Sequence, residues 1–180
     1  SRIEDVTSGT MEFDGANDSI SWEYVSEQPE NTFTAMAWVR PDAGHQVDAQ
    51  STSGTAGTSG QKYLFYPDPY VSNCGMGLSV GTNGISVYEY ANNYLPATAV
   101  YQADIGSGWN HIAVTYTDRQ PRIYLNGDLV HTGITSPKST VYAPKKIGGG
   151  TYGHFEGGVD EVMVYDRALS AEEIQGMMFT

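Results

Sequence analysis

The chain has 180 residues, enough for one domain with its own core. Its 39% hydrophobic content and 13 tyrosines mark a globular chain, not a disordered one. Nine lysines and arginines face 21 aspartates and glutamates, so a formal charge of −12 repels nucleic acid and anionic membranes and favours cations. No stretch has the length of a membrane span, a single cysteine, Cys74, precludes an intrachain disulfide, and no leader pattern follows Ser1; the chain is expected to be a module of a longer protein.

In chain order, Asp14, Asn17 and Asp18 fall within five residues, on a turn marked by Gly15. Ile20, Trp22 and Tyr24 alternate with Ser19, Ser21 and Glu23, the pattern of a half-buried strand. Residues 34–40 are apolar on both faces, Ala35, Ala37 and Val39 on one and Met36 and Trp38 on the other, as in a strand buried between two layers. An insertion covers about 41–62, and its residues 51–60 are only Ser, Thr, Gly and Ala. It reads as a mobile surface loop or as a binding loop or lid.

Two Asn-Gly pairs, Asn83-Gly84 and Asn126-Gly127, sit between strand-like runs and predict hairpins, since both residues accept the positive φ of a type I′ turn. Residues 109–116 and 159–165 predict two further strands. Ser170 with Glu173 three residues on forms a capping box, and Leu169 with Ile174 a hydrophobic staple, predicting one short helix. Many short strands with one peripheral helix give an all-β fold, a two-sheet antiparallel sandwich.

Five segments carry a resemblance: MEFDGANDSI (11–20), FTAMAWVRP (33–41), WNHIAVTY (109–116), IYLNG (123–127) and FEGGVDEVMVYDRALSAEEI (155–174). In this order they resemble the concanavalin A-like/laminin-G family, in the branch common as accessory modules of large secreted bacterial proteins. The resemblance implies a jelly roll of two curved antiparallel sheets, an extracellular or cell-surface location, and glycan or protein binding. It also implies a structural Ca²⁺ shared by the N-terminal turn and Asp160. Asp14, Asn17 and Asp18 offer the hard oxygens calcium takes; that Asp160 joins them comes from the resemblance alone. The same residues can instead hydrogen-bond their own turn, with Asp160 paired to a basic neighbour. Residues 42–73 match no pattern of the family.

Sugar sites combine aromatic faces with a few planar polar groups. Three clusters qualify: Tyr88, Glu89, Tyr90, Asn92, Asn93 and Tyr94 in one run; Tyr66 with Asp68 and Tyr70 in a second; Tyr152 and His154 in a third. Each tyrosine can equally be core, and alternation puts Tyr88 and Tyr90 on one side. Trp22, Trp38, Trp109 and His111 read as packing residues, and His45 and His131 have no metal-ligand spacing. The fold also hosts glucanases, but their E-x-D-x-x-E strand is absent. The expected function is a non-catalytic, calcium-stabilised carbohydrate-binding module of a secreted or surface multidomain protein. A protein-adhesion or spacer module is the alternative, and a glycoside hydrolase ranks last.

Overall fold

The computed structural model describes residues 2–5 and 9–179. Its strands form two sheets packed face to face. Sheet one runs β1 (Arg2–Asp5), β16 (Glu156–Tyr165), β4 (Phe33–Pro41), β9 (Asn110–Thr117), β10 (Gln120–Leu125) and β11 (Asp128–Thr132), with β2 (Met11–Asp14) also pairing β16. Sheet two runs β3 (Ile20–Ser21), β13 (Lys146–Ile147), β5 (Tyr63–Phe65), β6 (Cys74–Gly81), β7 (Gly84–Tyr90) and β8 (Ala97–Gln102). Pairing is antiparallel except where β12 (Val141–Tyr142) joins β6 in parallel. A small hairpin of β14 (Gly149–Gly150) and β15 (Gly153–His154) stands apart.

The main core lies between the sheets. β4 contributes Phe33, Ala35, Ala37 and Val39 to it, β6 contributes Cys74, Met76, Leu78 and Val80, and β7 contributes Ile85 and Val87. Both faces of β4 are apolar because sheet one is covered outside as well. Met36 packs with Met163, Leu169 and Ile174 under the helix α1 (Ala171–Met177), and Trp38 Nε1 donates to the Met178 carbonyl at 2.9 Å. The helix starts as its sequence predicts. The Ser170 side chain accepts from Glu173 N and the Glu173 carboxylate accepts from Ser170 N. Among the described residues no helix is long and apolar enough to cross a membrane.

The two predicted hairpins form, by different turns. Asn126 and Gly127 take φ of 52° and 84°, as a type I′ turn requires. In the other, Gly81 pairs Gly84, so Thr82-Asn83 is the turn, one residue earlier than Asn83-Gly84. Asn83 has another task. Its side chain accepts from His45 N at 3.0 Å and donates to the His45 carbonyl at 2.9 Å, pinning the start of the insertion to the hairpin tip. The strand predicted around Ile20, Trp22 and Tyr24 extends over Ile20–Ser21 only. Trp109 is 39% exposed, with the Arg40 guanidinium 5.4 Å above its ring.

His45 and His111 are both buried, and burial pushes each pKa down to about 4. The unfolded chain takes up these protons near pH 6.5, whereas the folded protein resists until about pH 4. The stability these two histidines contribute is therefore complete above about pH 6.5 and falls as pH drops towards 4. The expected outcome is a lower urea midpoint at pH 4.5 than at pH 7, with a smaller drop in His111→Phe. Equal drops in the two proteins would contradict the account.

Candidate functional site

The pleat of β7 turns Ile85, Val87 and Glu89 inward and leaves Ser86, Tyr88 and Tyr90 on the outer face of sheet two. That outer face is not polar. Tyr63, Tyr66, Tyr88, Leu95 and Ala97 form a second buried layer there. The rings meet edge to face, Tyr63–Tyr66 at 5.4 Å and Tyr63–Tyr88 at 5.6 Å. The insertion is what covers them. Gly57 N donates to the Leu95 carbonyl at 2.9 Å, Leu95 N to Gly54 at 2.8 Å, and the Tyr63 hydroxyl to Gly57 at 2.7 Å. Asp48 accepts from the Tyr88 hydroxyl at 2.5 Å and from Gln61 Nε2 at 2.9 Å. A Cβ on Gly57 would lie 2.6 Å from the Tyr63 hydroxyl oxygen and 2.7 Å from Leu95 and Tyr88, so only glycine lets the backbone rest on these side chains.

The cover is incomplete at one end, where a pocket of about 660 Å³ opens. Its walls come from four places: Thr55 and Thr58 of the insertion, Pro69-Tyr70-Val71, Tyr90 with the turn Asn92-Asn93-Tyr94-Leu95, and Tyr152. The turn is closed by paired backbone bonds between Ala91 and Tyr94 at 2.8 and 3.1 Å, with Asn93 at φ 54°. Asn92 N donates to the Tyr70 carbonyl at 2.9 Å, joining two walls. Tyr90 and Tyr152 meet edge to face at 5.7 Å, and the Tyr90 hydroxyl donates to that of Tyr152 at 3.5 Å. Pockets of this size, with apolar walls and a few polar groups, suit small ligands.

Of the residues the sequence singled out for ligand contact, the structure gathers Tyr90, Asn92, Asn93, Tyr94 and Tyr152 at this pocket. Tyr70, from the second cluster, joins them, and Thr55, Thr58, Pro69 and Val71 are lining residues that sequence reasoning missed. Tyr88 and Tyr66 belong instead to the sealed layer, Tyr66 with the Lys146 ammonium 5.2 Å over its ring. His154 pairs Gly149 in the small hairpin, away from the pocket lining. Glu89 lies inside the sandwich, fully buried. It accepts from the Tyr94 hydroxyl at 3.0 Å, the Tyr116 hydroxyl at 2.7 Å and the Cys74 thiol at 3.6 Å. Burial pushes its carboxyl pKa up and pushes that of the Cys74 thiol up too. Through Tyr94, this buried carboxyl holds one wall of the pocket.

The residues expected to share a calcium ion do not converge. Asp14 Oδ1 accepts from Ala16 N at 2.8 Å and Asn17 N at 3.4 Å, and Asp18 Oδ2 accepts from Asp14 N at 2.9 Å. Those turn bonds hold the Asp14 carboxyl below its usual pKa. Asp160 stands four residues along β16 from Glu156, the partner of Asp14, which is about 13 Å in an extended strand. It accepts from Glu161 N at 2.8 Å and Thr10 Oγ1 at 3.2 Å. Among the described residues no group of three or more His, Cys, Asp or Glu side chains is placed to hold a metal.

Residues 14–175 match the family model of the concanavalin A-like lectin/glucanases superfamily, and the chain belongs to that superfamily. No curated protein matches it in sequence. Solved structures similar to it include domain 4 of AbnA, a GH43 extracellular arabinanase from Geobacillus stearothermophilus, in complex with arabinotriose. That likeness has 18% identity and a TM-score of 0.53, covering 82% of this chain and 66% of that one. The binding domain of botulinum neurotoxin serotype D aligns at 13% identity and TM-score 0.61, over 92% of this chain and 41% of that one. A heptameric SAP-like pentraxin from Limulus polyphemus aligns at 15% and 0.60, over 92% and 79%. The chain thus spans just under two thirds of the arabinanase domain and under half of the neurotoxin domain. At these identities the likeness is one of fold.

Replacing Glu89 tests the buried network. Glu89→Ala leaves two tyrosine hydroxyls without an acceptor and should lose on the order of 2 kcal/mol. The raised pKa of Glu89 means that its ionisation opposes folding as pH rises above the ordinary value of 4.5. Glu89→Gln lacks that penalty, so its stability relative to wild type should increase from pH 5 to pH 8 in urea melts. A constant difference across that range would count against a buried, ionising carboxyl.

Proposed function

We propose that this chain is a non-catalytic carbohydrate-binding module of a secreted or cell-surface protein, and that it takes its saccharide in the Tyr90–Tyr152 pocket. The observation that carries the reading is this pocket itself: Tyr70, Tyr90, Tyr94 and Tyr152 line one opening together with Asn92 and Asn93, and it has the size a small ligand fills. Sugar rings present C–H faces that pack on aromatic rings, and hydroxyls that exchange hydrogen bonds with amides and phenols. The superfamily supports the reading, as does the arabinanase domain, which was solved with arabinotriose. The lining supports a binding role. A retaining glycosidase needs two carboxyl groups roughly 5 Å apart, and no Asp or Glu lines this pocket.

Two outcomes check this reading. Tyr90→Ala and Tyr152→Ala should each weaken retention on a glycan affinity gel about 10-fold, the order of one lost aromatic contact, while leaving the melting temperature nearly unchanged. Binding that survives both changes would move the site elsewhere. In this arrangement the carboxylates expected to hold calcium accept hydrogen bonds from their own backbone or a neighbouring hydroxyl. Melting temperatures in millimolar CaCl₂ and in EDTA should agree to within about 1 °C, since a ligand that does not bind the folded state does not stabilise it. A rise of several degrees, abolished in Asp160→Asn, would restore a calcium clamp.

A further inference from the structure

We infer that the saccharide bound at the Tyr90–Tyr152 pocket is an uncharged one, and that the site rejects both acidic glycans and cationic ligands; this rests on the carbohydrate-binding reading above. In a chain with a net charge of −12, none of the residues lining the pocket is Asp, Glu, Lys, Arg or His. A carboxylate or sulfate entering it would shed water and meet no cation among the lining residues, the Lys138 ammonium being held over the Tyr94 ring. The unpaired charge would cost more than one sugar ring gains by stacking.

The acidic surface would draw a cation towards the opening, so a cation–π cage has to be weighed. Two of the four tyrosines are already engaged. The Lys138 ammonium sits 4.5 Å over the Tyr94 ring, and the Tyr70 ring packs on Tyr142 at 4.6 Å. Tyr90 and Tyr152 are left, and they stand edge to face with hydroxyls in contact, so they do not enclose a central charge. The polar groups that face the opening are amides and hydroxyls, which both donate and accept. Sugar hydroxyls also do both. An anion only accepts and an ammonium only donates, so either would leave half of these groups unmatched.

The test compares neutral and acidic polysaccharides with matched supports: galactan and xylan against polygalacturonate and a sialylated glycan, each at low and high NaCl. The expected result is retention on at least one neutral polymer, independent of salt, about 10-fold weaker in Tyr90→Ala, and not competed by choline. Preferential retention on an acidic polymer that Tyr90→Ala abolishes, or displacement by choline, would overturn the inference and leave the carbohydrate site standing in the first case only. Retention on none of the polymers would overturn the carbohydrate reading itself, and this inference with it.

Discussion

Sheet two carries apolar side chains on both of its faces, and the rest of the molecule is arranged to cover both. The inward face meets sheet one in the usual way of a sandwich. The outward face carries Tyr63, Tyr66 and Tyr88, and rings of this kind bury about 150–250 Å² each. At about 25 cal/mol per Å², leaving three of them in water would forfeit on the order of 10 kcal/mol, comparable to the whole stability of a domain. The insertion is therefore part of the fold. Its contacts are with backbone carbonyls and two carboxylate bonds rather than with apolar side chains of its own.

The binding pocket follows from the same constraint. Where the insertion ends, the tyrosine layer does not, and Tyr90 and Tyr152 stand at the boundary between sealed and open surface. The walls are held from behind. Tyr94 is anchored to Glu89 inside the sandwich, and Asn92 to the Tyr70 carbonyl. Walls fixed in this way lose little freedom when a ligand arrives, which favours tight use of a few contacts.

Much of the fold was legible in the sequence because local chemistry and tertiary packing agree there. The doubly apolar β4, the capping box at Ser170 and the Asn126-Gly127 turn all formed as their residues dictate. Asn83 shows the limit: an Asn-Gly pair predicts a turn, but the Asn amide was claimed by the His45 backbone, a partner 38 residues away. The tyrosine run was recognised as a site, yet period-two alternation does not say which face meets water. Glu89 therefore went to the core and Tyr88 beneath the insertion, while Tyr90 and Tyr94 reached the pocket. Thr55 and Thr58 were invisible because a Ser/Thr/Gly stretch looks the same whether it dangles or lies flat on a sheet.

The absence of large side chains in that stretch has a consequence for how such a module can change. Gly57 is fixed by the rings beneath it and the Thr58 hydroxyl donates to the Thr55 carbonyl at 2.9 Å, but Thr55 contributes to the pocket from a backbone held by the bonds of Gly54 and Gly57 to Leu95. Ligand choice and folding are thereby assigned to different atoms of one segment. Diversification at Thr55 can reshape the opening with little risk to the scaffold, much as an antibody varies its loops over a constant frame.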